Sequence, residues 1–122
     1  MEAENLKKRT KQFALRVIRL VEALPQTRSA EIIGRQVLRC GTSVGANYRA
    51  SCRAKSQADF IAKMAIVEEE GDECLYWMEL LEESEIVAEH LLRDLKKEAN
   101  ELIAITVASI RTAKQRKDAP RI

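Results

Sequence analysis

The sequence predicts an all-α protein, folded as a single up-down bundle of four helices, and three observations carry that prediction. Four glycines and two prolines in 122 residues are too few for a sheet protein, which turns about every 8 to 12 residues. A composition that is 46% hydrophobic, 33% charged and only 4% aromatic suits long amphipathic helices. Apolar residues also recur at three- and four-residue steps in four separate stretches. The length leaves room for one domain, spanning residues 1–122.

In the first stretch Leu6, Thr10, Phe13, Val17, Leu20, Val21 and Leu24 share one helical face, while Lys7, Lys8, Lys11, Arg16 and Arg19 decorate the others. Pro25 stops this helix. Ser29 is expected to cap the second, which carries Ile32, Ile33, Val37, Cys40 and Val44 and runs to about Arg53, with a weak point from Gly41 to Gly45. Ser56-Gln57-Ala58-Asp59 opens the third, because it sets an acceptor at the cap and a carboxylate three residues on. Its stripe is Phe60, Met64, Val67, Gly71, Cys74, Leu75, Met78 and Leu81. After a break near Glu83 to Ile86, the fourth carries Val87, Leu91, Leu95, Ala99, Leu102, Thr106 and Ile110. A basic tail over residues 115–122, ending Ala119-Pro120-Arg121-Ile122, is expected to fray. Short connections make sequential helices antiparallel neighbours, so an up-down bundle follows.

Charge is segregated along the chain. Residues 1–27 carry six Lys/Arg against three Asp/Glu and residues 28–67 seven against two, whereas residues 68–101 carry three against thirteen; residues 102–122 return to five against one. A net charge of +2 therefore hides a basic and an acidic region, which favours nucleic acid on the basic surface or association of opposite surfaces.

No motif in the chain meets the requirements of a catalytic or metal site. The acids Glu68, Glu69, Glu70, Asp72, Glu73 and Glu79 raise the question of a di-iron bundle, but such a site needs Glu-x-x-His on two helices. The single histidine, His90, follows Val87 at that spacing. Gly34, Gly41 and Gly45 lack the phosphate-loop pattern and fit a close helix crossing instead. Cys40, Cys52 and Cys74 are odd in number and have no C-x-x-C pair, so they read as reduced packing residues, with a free reactive thiol as the alternative. No stretch is apolar enough for a membrane span, and the acidic start is wrong for a secretory signal; a cytoplasmic protein without cofactor is expected.

The basic residues are more suggestive. Arg49, Arg53 and Lys55 stand beside Tyr48, with Arg35 and Arg39 earlier on the same helix and Lys114, Arg116 and Lys117 near the chain end. Cations interleaved with an aromatic can neutralise phosphates and stack on a base; as an alternative, several of these cations pair with acids between subunits. Tyr76-Trp77 reads as core or interface.

The run Val37-Leu38-Arg39-Cys40-Gly41-Thr42-Ser43-Val44-Gly45-Ala46-Asn47-Tyr48-Arg49, followed by Cys52-Arg53-Ala54-Lys55-Ser56 and Asp59-Phe60-Ile61-Ala62-Lys63, resembles the four-helix bundle proteins encoded in intervening sequences of 23S ribosomal RNA genes. Glu73, Leu75-Tyr76-Trp77, Glu79-Leu80-Leu81, Glu98-Ala99-Asn100-Glu101-Leu102 and Ala108-Ser109-Ile110 extend the likeness. It implies a left-handed antiparallel bundle assembled as a ring-like homopentamer. It also implies kinship with the accessory protein of diversity-generating retroelements, whose basic surface engages nucleic acid and a reverse transcriptase. Ala50, where relatives often carry Glu, and Glu69 with Gly71, where Lys and Ala are usual, depart from the pattern. The functional expectation is a non-enzymatic, oligomeric protein that binds RNA or DNA or acts as an accessory factor. The alternative is an oligomeric scaffold for another protein.

Overall fold

The computed structural model describes residues 2–118, with the side chains of residues 3–116. It contains four helices, α1 (Glu2–Glu22), α2 (Arg28–Ser51), α3 (Gln57–Glu83) and α4 (Glu89–Asp118), and no strand among the described residues. The helices pack as a bundle in which α1 lies on α2, α2 on α3 and α3 on α4, while α1 and α4 meet more loosely. No helix is long and apolar enough to cross a membrane.

Local chemistry explains the boundaries. Thr27, not Ser29, caps α2: its backbone is extended and its hydroxyl accepts the Ala30 N–H at 3.3 Å. Thr27 carries the same hydroxyl acceptor as Ser29, and Ala30, whose N–H it receives, is buried. Ser56 caps α3 as expected, accepting from the Asp59 N–H, while the Asp59 carboxylate accepts the Lys55 N–H. A Schellman turn ends α3. The Glu85 N–H donates to the Glu82 carbonyl and the Ile86 N–H to the Leu81 carbonyl, with Glu85 itself left-handed at φ 62°. α4 runs to Asp118, and residues 119–122 of the tail expected to fray lie outside the described residues.

The glycines of α2 set how closely α1 approaches. A Cβ at Gly41 would stand 2.7 Å from both γ carbons of Val17, and one at Gly45 would stand 3.2 Å from the Thr10 hydroxyl. The helix is unbroken through both, so the expected weak point is a packing seam. Contacts step in opposite senses along the pairs: Leu24 meets Gly34, Val17 meets Gly41 and Thr10 meets Gly45. Likewise Gln57 reaches the Ala113 carbonyl, Gly71 faces Ile103 and Glu82 pairs with Lys96.

Two stripe residues are corrected. Leu91 is 67% exposed and Leu92 takes the core position. At 3.6 residues per turn Leu92 falls about 20° from the direction of Ala99, and Leu91 about 80°. Ile32 lies about 140° from Val37 by the same reckoning and is 52% exposed. Leu75 and Phe60 are only half-buried, packed against a core that Met64, Cys74 and Met78 fill. Cys40 and Cys74 are buried packing residues, but Cys52 is exposed.

Candidate nucleic-acid interface

The bundle gathers most of the basic residues that the sequence singles out at one end. The start of α1 and the end of α2 form a groove lined by Lys7, Lys8, Lys11, Gln12, Arg49 and Glu4. The Gln57 side chain donates to the Ala113 carbonyl at 2.9 Å, bringing the end of α4 against the start of α3, where Lys55 stands. Among described side chains, this end (residues 3–12, 42–69 and 104–116) holds eleven Lys/Arg against four Asp/Glu. The other end (residues 13–41 and 70–103) holds eight against thirteen.

Within the basic end, Lys7 is bridged to Glu4 at 3.3 Å. Lys8, Lys11, Arg49, Arg53, Lys55, Lys114 and Arg116 are exposed and form no salt bridge among the described residues. Lys117 is in α4, but its side chain lies outside those described.

Three of the residues that charge and aromaticity pick out fall away from this surface. Arg35 precedes Arg49 by fourteen residues, about 21 Å of helix, and lines a different groove with Glu22 and Glu31. Arg39 is committed to acids: its guanidinium bridges Glu70 at 3.3 Å and also holds Glu73. Tyr48 is buried in the core and offers no face to a base.

Arg39 belongs to a network that the sequence does not disclose. The Trp77 indole donates to Glu73 at 3.2 Å and, with the Cys40 thiol and Arg39, holds that carboxyl below the usual range. Burial pushes the Cys40 thiol up, and burial raises Cys74 to about 12. Cys40, Glu70 and Glu73 bring candidate ligand atoms within 4.8 Å of one another. The arrangement is poor for a metal, because a guanidinium already sits on both carboxylates and the thiol is held protonated. Arg9 is a second residue that sequence reasoning misses. It forks onto Glu98 at 3.0 and 2.6 Å and reaches Glu101 at 3.1 Å, strapping α1 to α4. Partners far along the chain give it this role, so no local pattern could reveal it.

The chain matches a family model described as 23S rRNA-intervening sequence protein over residues 3–108. It belongs to that family. A solved structure similar to this chain is the crystal structure of a protein with unknown function from the S23 ribosomal protein family of Bacteroides thetaiotaomicron. The two are 32% identical with a TM-score of 0.85, covering 91% of this chain and 99% of that one. No curated protein matches.

Proposed function

We propose that this protein is a non-enzymatic, cytoplasmic nucleic-acid-binding or accessory protein that grips phosphates with the basic end of an antiparallel up-down bundle and works as a ring-like homopentamer. The observation that carries the reading is the groove of Lys8, Lys11 and Arg49, with Lys7 bridged to Glu4 beside them; Arg53, Lys55, Lys114 and Arg116 are exposed at the same end of the bundle, and Lys117 is the next residue of the chain. Exposed cations outside any salt bridge lose little on meeting phosphate, and they release the counterions condensed on it. The opposite stepping of contacts along α1/α2 and α3/α4 supports the up-down arrangement. The family's description, 23S rRNA-intervening sequence protein, makes structured RNA one of the nucleic acids to test. Charge and shape direct the binding, since Tyr48 is buried and no recognition helix is offered to base edges. A ring multiplies weak contacts through effective concentration.

The test is a polarisation titration with duplex DNA, structured RNA and single strands, comparing the parent with Arg49→Ala/Arg53→Ala and with Arg28→Ala/Arg35→Ala as control. The first pair should weaken every nucleic acid alike and lower the salt slope by about 2, while the second leaves both unchanged. Unchanged affinity and slope in the first pair refute this site. Failure of the parent to bind any nucleic acid favours the protein scaffold.

A further inference from the structure

The seam between α1 and α4 is the loosest of the bundle and is strapped midway by Arg9. On α4, Leu91, Glu98, Ile105 and Thr112 recur every seven residues, two helical turns, and so form one row along the side that Glu98 presents to α1. One end of the row is Leu91, the most exposed large apolar side chain among the described residues. At the other end Ile105, Thr112, Leu6 and Phe60 line an open apolar groove of about 660 Å³, with Arg116 at its rim.

The charges around the two features are opposite. Glu85 and Asp94 stand close to Leu91 in the chain, and Lys114 and Arg116 close to the groove; none of the four makes a salt bridge among the described residues. An apolar knob with acids and an apolar groove with bases, about 21 Å apart on one helix, are two different patches that fit each other. They cannot meet within one chain.

We infer that a second copy of this chain docks along this row, with Leu91 of one copy entering the Ile105–Thr112 groove of the next while Glu85 and Asp94 face Lys114 and Arg116. The contact is heterologous, which is what a closed ring of more than two subunits requires. It rests on the oligomeric part of the proposed function and draws Lys114 and Arg116 into the subunit contact, leaving phosphate to Lys8, Lys11, Arg49, Arg53 and Lys55, whose surface does not share this row.

Two variants test it in the full chain by sedimentation velocity at micromolar concentration, with far-UV circular dichroism to verify the fold. Leu91→Glu removes the knob and keeps the groove; Ala108→Trp, at an exposed position lining the groove, blocks the groove and keeps the knob. Each should associate at least about tenfold more weakly than the parent, and mixing the two should give a one-to-one dimer that neither forms alone. Parent-like assembly of Leu91→Glu overturns this contact and leaves the ring standing. Loss of assembly in both variants without a mixed dimer also overturns it, because a heterologous contact must be rescued. A monomeric parent overturns both the contact and the ring.

Discussion

Gly41→Ala tests the packing that positions the α1/α2 groove. The added methyl carbon would lie 2.7 Å from both γ carbons of Val17 and 3.0 Å from its Cβ. Carbon atoms rest at about 3.5 to 4.0 Å, so the shortfall approaches an ångström. Val17 cannot swing aside, because it is fully buried and β-branched, with little freedom at χ1. The strain therefore falls on the separation of α1 from α2. Overpacking of this kind costs about 1 to 3 kcal/mol, and a stiff partner puts it at the upper end. Replacing a helical glycine returns about 1 kcal/mol. A net loss of about 2 kcal/mol follows, lowering the melting temperature by roughly 6 to 10 °C in a chain of this size. Gly34→Ala is the internal control: there the neighbour at 2.9 Å is Leu24 Cδ1, the far end of a flexible, half-buried side chain that can turn away. It should be neutral or slightly stabilising. Calorimetry that finds Gly41→Ala as stable as the parent refutes the close crossing as the fixed element of the fold.

Two further outcomes follow from the local structure. Glu85→Gly should raise stability by about 0.5 to 1 kcal/mol by urea denaturation, since it relieves a left-handed non-glycine residue and keeps the Schellman hydrogen bonds; a lower midpoint contradicts this. Acid should destabilise the fold. The Lys63 ammonium and the Lys55 N–H hold Asp59 below its ordinary range, Trp77 leads the same effect at Glu73, and Arg93 at Glu89. Depressed folded-state values mean stability that is present above the ordinary carboxylate range and lost as pH falls through the lowered values. The melting temperature should hold from neutral pH to about 5 and drop below it; a rise on acidification contradicts the pairing.

Helix number, order and the α3 cap are legible in the sequence because each depends on neighbours within one or two turns. The α2 cap lies two residues from its expected place, since Thr27 and Ser29 both offer a hydroxyl acceptor within one turn and the local pattern does not separate them. The adjacent Leu91 and Leu92 pose the same problem on α4, where a 100° rotation separates core from solvent. The basic residues of the candidate interface are identifiable by charge. Their grouping is not: Arg39 leaves it because Glu70 and Glu73, 31 and 34 residues on, reach back across from α3. Lys8 and Lys11 gain weight because α1 brings them beside Arg49. Tyr48 sits between the polar Asn47 and Arg49 in the sequence, yet its direction on α2 is the core direction of Val37 and Val44.

The salt dependence of nucleic-acid binding by the unaltered protein tests the central claim most directly. Five exposed cations, Lys8, Lys11, Arg49, Arg53 and Lys55, engaged on duplex phosphates predict a plot of log affinity against log salt with a slope of about −4 to −5 for each subunit that binds. A slope near zero, or no binding at low salt, contradicts a phosphate-gripping end.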